Sequence, residues 1–338
     1  MPKTGQNNGL TDVEGIMVGH FTDLDAVSGV TVIICPEGAV GGVDVRGAAP
    51  STRQIELLEP HNLVEKIQAV TLSGGSGYGL AAADGVVAWL AERGWGFPLP
   101  EGHVVPIVPS AILFDLGRGK DFVPPVGPEW GRKACESAGN GPVTIGSVGA
   151  GTGALSGAIA GPVKGGIGTA SVVLESGVTV AALMAVNSLG SVIDPETGRP
   201  WEIRTELDGE FGPLRERAVT LPEPLQPEPI QNTTIGVVAT DAMLNKVHAK
   251  KIAQMAHDGL GRAIRPAHSM FDGDAIFTMA TGKVELPDTP GFFNAAKAQA
   301  VTELGAAAAD CVTRAIVQAI LKAETTANMP AFQDLKGR

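Results

Sequence analysis

Aromatic residues are scarce in this chain, at 4% with a single tyrosine, which argues against a surface that stacks nucleic-acid bases. Positive charge is also in deficit: 25 Lys and Arg stand against 36 Asp and Glu, a formal net charge of −11 at pH 7. Neither nucleic acid nor an anionic lipid surface is therefore expected as a partner. Cysteine is limited to Cys35, Cys135 and Cys311, an odd number with no CxxC pair, so reduced and buried thiols in a cytoplasmic setting are expected. The N-terminal stretch MPKTGQNNGLTDVEG has no apolar core after its lysine and gives no sign of a secretory signal. The longest apolar stretch, residues 178–186, is about half the ~20 residues a membrane span needs. The six histidines, His20, His61, His103, His248, His257 and His268, form no HExxH or comparable pair, so no metal site and no cofactor are expected; His257 and His268 read as packing residues.

What the chain has in plenty is glycine, 45 residues, and proline, 24, scattered among apolar residues that make up 44% of its 338 positions. That composition describes a globular protein with many tight turns rather than a disordered or collagen-like one. Residues 30–34 (VTVII) and 104–108 (VVPIV) read as strands. Residues 79–93 read as a helix that stops at Gly94. Glycine-punctuated strands follow between 141 and 186, among them 170–174 and 178–186, the latter too apolar to face solvent and so central in a sheet. Residues 221–230 (LPEPLQPEPI) hold four prolines and read, with the two residues after them, as an exposed linker over 221–232. A β-branched, apolar strand then starts abruptly at 233–240 (TTIGVVAT), and helices are expected over 242–264 and 294–322. The fold class is α/β.

A buried strand that begins directly after a proline-rich linker invites a chemical reading. A cut between Asn232 and Thr233 would give a 232-residue and a 106-residue fragment (338 minus 232) and would leave Thr233 with a free α-amine beside its own hydroxyl. Such an amine has an ordinary pKa of ~7.7–8.0, so a substantial neutral fraction at pH 7 can take the hydroxyl proton. An N-terminal threonine is thus nucleophile and base in one residue, and needs no histidine.

Seven ordered blocks carry a resemblance over nearly the whole chain: TDVEGIMVGH, VDVRG (43–47), LSGGSGYGLAAADGV (72–86), KGGIGTAS (164–171), AVNSLGSVIDP (185–195), NTTIGVVATDA (232–242) and HDGLGRAIRPAHSMFDGD (257–274). With these the chain resembles the L-aminopeptidase D-Ala-esterase/amidase family, which includes the β-aminopeptidases and the nylon-oligomer (6-aminohexanoate) endohydrolases. The resemblance implies a four-layer αββα sandwich similar to that of N-terminal-nucleophile hydrolases, with the family's own strand order. It implies one domain over residues 1–338, self-cleaved into 1–232 and 233–338, and a homotetramer of such processed pairs. By the same resemblance Thr233 is the nucleophile, Asn187 holds the oxyanion, and Lys164 lies near the nucleophile, where its charge keeps the Thr233 amine neutral. Asp272 and Asp274 anchor the new amine and a proton relay, and Tyr78 lies on the substrate side. The substrate is then a small-molecule amide or peptide. The Asn-Thr junction and the aspartate pair depart from the Gly-Ser, serine and glutamate pattern of the β-aminopeptidases and favour the nylon-oligomer side.

Two other readings use the same residues. Gly149-Ala-Gly151-Thr-Gly153-Ala154 meets a relaxed dinucleotide-binding spacing, but Pro162 and Gly165-Gly166 interrupt the helix that should open there, and no ribose-binding acid stands ~20 residues on. A glycine-rich binding or assembly protein of the same fold that never cuts itself is the non-enzymatic alternative.

Overall fold

The computed structural model describes residues 2–225, 232–288 and 296–338. In chain order its strands are β1 (Met17–Asp23), β2 (Ser28–Val45), β3 (Thr52–Arg53), β4 (Lys66–Ser73), β5 (Phe97–Pro98), β6 (Val104–Val105), β7 (Ser110–Ile112), β8 (Leu155–Ser156), β9 (Val163–Lys164), β10 (Gly166–Val173), β11 (Thr179–Asn187), β12 (Thr233–Ala242) and β13 (Ala275–Val284). The α-helices are α1 (Ala82–Ala91), α2 (Pro128–Glu136), α3 (Lys246–Ala263) and α4 (Ala298–Leu321). Among the described residues nine strands form one sheet in the order β10-β11-β12-β13-β2-β4-β7-β3, with β1 also paired to β2.

The sheet makes two layers because β2 serves both. Residues 40–45 of β2 pair with β13, while residues 28–34 pair with β1 and residues 30–34 with β4. Between these segments the β2–β4 register shifts, from Ile34 opposite Ala69 to Ala39 opposite Ile67. Pro36 has no N–H to give the ladder, and Gly38 takes a φ of +75°, so the strand bulges and bends there at little cost.

Alternation then sorts the side chains into three cores. Val180, Ala182, Met184, Val238 and Ile276 face α3 and α4, meeting Ile252, Leu260, Val312 and Ile316. Their neighbours Ala181, Leu183, Ala185, Ile235, Val237 and Ala239 point the other way, onto Ile33, Val70 and Leu72 of β2 and β4. Val30, Val32, Ile34 and Ala69 in turn meet Val86, Leu90 and Trp130 of α1 and α2. The result is helix, sheet, sheet, helix, the expected αββα sandwich. Strands β11 and β12 are buried on both faces, which is why their sequences are apolar without alternation.

The sequence reading holds for β11, β12, α3 and α4 to within a few residues, although the expected start of the last helix, 294–295, lies outside the described residues. Asn245 caps α3 by accepting from the His248 N–H at 2.9 Å. The expected helix over 79–93 is shorter: a 3₁₀ turn, Ser76–Ala81, precedes α1. The strand expected over 104–108 pairs only at Val104–Val105, because Pro106 and Pro109 lack the donor a ladder needs. No long helix opens after the Gly149–Gly151 turn, so the dinucleotide reading fails on structure. Helix α4, with a hydropathy of 1.4 over its most apolar window, passes the length and composition test for a membrane span, yet 89% of that window is buried inside the protein. Of the expected linker, residues 226–231 lie outside the described residues.

Candidate active site

Strand β12 begins at Thr233, directly opposite Asn187 at the end of antiparallel β11. On its other side, Asn232 forms a parallel bridge with Asp272 in the loop that leads into β13. Thr233 is therefore set between a strand end and the Asp272-Gly273-Asp274 loop, and all of Asn187, Asn232, Thr233, Asp272 and Asp274 are buried.

In this unbroken chain the Thr233 nitrogen is an amide. The Thr233 hydroxyl donates to the Asn232 carbonyl at 2.5 Å, placing it against the bond expected to break. The Gly273 N–H lies 3.3 Å from the same carbonyl oxygen and 3.2 Å from Thr233 Oγ1. Glycine at 273 is a matter of space: a Cβ there would stand 2.7 Å from the Ala49 carbonyl and 3.0 Å from Thr233 Oγ1.

The two aspartates brace this arrangement from different sides. Asp274 accepts from the Thr234 N–H at 2.8 Å through one oxygen, and through the other from His268 Nδ1 at 2.8 Å and the His268 N–H at 3.2 Å. Asp272 accepts from the Ser269 N–H and hydroxyl and, at 3.3 Å, from the Leu189 N–H, which ties the loop to the end of β11. Burial, and then the nearby charge of Asp274, hold the Asp272 carboxyl above its ordinary pKa. The pair is an internal one, not a solvated turn.

Asn187 is held by both ends of its amide. Its Oδ1 accepts from Arg118 at 2.7 Å and from the Leu155 N–H at 3.0 Å, and its Nδ2 donates to the Phe114 carbonyl at 3.0 Å. Lys164, fully buried on β9, donates to the carbonyls of Gly151, Ala154 and Gly165 at 2.8, 3.1 and 2.8 Å. An ammonium has three protons, and all three are taken by backbone. Burial, and next the charge of Arg118, pull the Lys164 amine well below its ordinary pKa. Lys164 thus grips the turn that supports Asn187 and makes no hydrogen bond to Thr233. Tyr78 is 60% exposed, on the 3₁₀ turn whose preceding Gly75 N–H donates to Asp115 at 2.6 Å.

Four contributors were not legible in the sequence. Arg118 and Asp115 sit in a glycine-flanked stretch, FDLGRG, that reads as a surface loop, yet Asp115 is buried and Arg118 reaches Asn187. Gly273 contributes only its N–H. His268 was read as packing; its ring does meet that of His257 edge-on at 4.9 Å, but its Nδ1 is spent on Asp274. For His257 the packing reading stands: burial draws its pKa down to about 4.

Known proteins resemble this chain over most of its length. The pattern of peptidase family S58 matches residues 8–331. An uncharacterized aminopeptidase of Mycobacterium tuberculosis (strain ATCC 25618 / H37Rv) is 46% identical over 346 residues, covering 97% of this chain and 98% of that protein. The 6-aminohexanoate-oligomer endohydrolase of Kocuria sp. (strain KY2) is 30% identical over 325 residues, covering 94% and 87%. Among solved structures, the L-aminopeptidase D-Ala-esterase/amidase from Ochrobactrum anthropi, described as a new variant among the Ntn hydrolase fold, superposes with a TM-score of 0.71 at 25% identity, covering 98% of this chain and 90% of that one.

Proposed function

The chain belongs to peptidase family S58, and from that premise we propose that it is an amide hydrolase that cuts itself between Asn232 and Thr233 and then uses Thr233 as its nucleophile. The observation that carries the reading is the Thr233 hydroxyl lying 2.5 Å from the carbonyl oxygen of its own preceding peptide, with the Gly273 N–H directed at both atoms.

Thr233 Oγ1 attacks the Asn232 carbonyl carbon while the Gly273 N–H steadies the developing oxyanion. As the C–N bond breaks, the hydroxyl proton passes to the leaving nitrogen. The products are an ester on Oγ1 and a free Thr233 amine, and water then hydrolyses the ester. In turnover the amine removes the hydroxyl proton, Oγ1 attacks the substrate amide, and the same proton goes to the leaving amine before water releases the acyl group. Asn187 donates Nδ2–H to the substrate oxyanion, and Asp272 and Asp274 receive the new amine beside Thr234. Lys164 acts through the turn it holds. The fragments 1–232 and 233–338 stay together as one domain, because the β11–β12 ladder crosses the cut.

Small aminoacyl amides and linear ω-amino oligomers are the substrate classes we assign, a reading supported by the likeness to a 6-aminohexanoate-oligomer endohydrolase and to an L-aminopeptidase D-Ala-esterase/amidase. Replacing Thr233 by Ala is expected to abolish turnover of alanyl, β-alanyl and 6-aminohexanoyl amides alike. Residual hydrolysis by that variant above a blank, with the contaminant excluded by repurification, would require a different nucleophile.

A further inference from the structure

A carboxamide is nearly symmetric in shape, and a half-turn about its last bond exchanges an acceptor for a pair of donors. Whether Asn187 offers N–H or C=O to an incoming oxyanion therefore depends on what fixes that half-turn. Thr233 is its register partner across β11 and β12, so the question bears directly on the nucleophile.

We propose that Arg118 is a positioning residue that locks the Asn187 amide with its oxygen turned away from the reaction and one Nδ2 proton left for the substrate oxyanion. The inference rests on the reading of Asn187 as the oxyanion donor.

Three contacts carry it. A guanidinium has donors only, and Arg118 places one of them 2.7 Å from Asn187 Oδ1. The Leu155 N–H, also a donor only, lies 3.0 Å from the same oxygen. Turning the amide over would set an NH₂ group against both and leave two buried donors unsatisfied. Nδ2 meets the Phe114 carbonyl at 3.0 Å, which takes one of its two protons. Among the described residues no partner takes the second, and that proton is the one the proposal assigns to the oxyanion.

The surrounding turn is arranged to keep Arg118 in place. Gly153 O accepts from Arg118, Ala154 O accepts from Lys164, and the Leu155 N–H donates to Asn187, so three successive residues are pinned by these three side chains. Burial brings the guanidinium down only to about 10, opposed by the charge of Asp115, so it remains a cation at neutral pH. A charged donor on Oδ1 also polarises the amide and makes the remaining Nδ2–H a stronger donor.

The test is a double-mutant cycle on fully processed enzyme, with kcat and KM measured for wild type, Arg118→Ala, Asn187→Ala and the double variant. Removing Arg118 is expected to lower kcat by roughly tenfold or more, a part of the ~10²–10³ expected for the donor itself, with KM changed less than about threefold. On the Asn187→Ala background the same removal is expected to cost less than about twofold, and guanidinium chloride is expected to restore kcat in Arg118→Ala but not in the double variant. An equal loss on both backgrounds, or a loss below about twofold on the first, overturns the inference while leaving Asn187 in its role. If Asn187→Ala itself loses less than about threefold, the oxyanion reading falls, and this inference with it. Where Arg118→Ala does not accumulate as processed protein, Arg118→Lys, which keeps the charge but not the planar fork, enters the same cycle.

Discussion

Thr233 is chemically ordinary until its neighbours are counted. What sets it apart is a hydroxyl held against its own upstream carbonyl, and the nearest device that holds it is the Gly273 N–H. Gly273 does not need a left-handed backbone, so Gly273→Ala tests space alone. The added methyl group is expected to push on the Ala49 carbonyl and Thr233 Oγ1, slowing self-cleavage by on the order of 10–100-fold while the far-ultraviolet circular dichroism stays that of the parent. Cleavage at the parental rate would show that the contact is not used. Thr233, Asn187, Asp272 and Asp274, expected together because each sits in a block of the family resemblance, are brought together by the structure. Arg118 and His268 were not legible in the sequence, since the contacts that define them are made to Asn187, 69 residues away, and to Asp274 by a ring that reads equally well as packing. Lys164 was expected near Thr233 on the family resemblance alone; its burial and its three carbonyl partners depend on how β8 and β9 fold back.

Strands β11 and β12 carry the site because both of their faces are filled. Ile235 lies two residues past Thr233 and packs with Leu183 and Phe277 in the core between the two sheet layers. Its replacement by Ala is expected to cost ~2–5 kcal/mol, read as a lower denaturation midpoint with an unchanged denaturant slope. A loss below ~1 kcal/mol would mean that the core closes over the gap more readily than close packing allows. The apolar runs of these strands were visible from sequence because burial on both faces removes alternation. The bend of β2 was not, since Pro36 and Gly38 also suit an ordinary turn between two strands. The short β6 follows from Pro106 and Pro109, which interrupt and end the apolar run over 104–108 that otherwise reads as a strand.

The whole molecule should be sensitive to acid for a reason unrelated to catalysis. His257 is buried, and its pKa in the fold is lowered to about 4 from 6.5, so the unfolded chain binds the proton more readily. The stability tied to this group is complete above pH 6.5 and is lost as the pH falls toward 4, by on the order of 3 kcal/mol. His257→Gln is expected to flatten that part of the pH dependence of the unfolding free energy, and an unchanged slope would assign the acid sensitivity elsewhere. At this scale the layer order of the sandwich followed from the family resemblance rather than from composition, which indicated only α/β.

The proposed activity hangs on the Asn232–Thr233 bond breaking by the action of Thr233. The direct measurement is N-terminal sequencing and intact mass of the purified, catalytically active protein. Two associated chains of 232 and 106 residues (338 minus 232), the smaller beginning Thr-Thr-Ile-Gly, are the predicted result. A single chain of 338 residues that hydrolyses amides without ever yielding that terminus would contradict it.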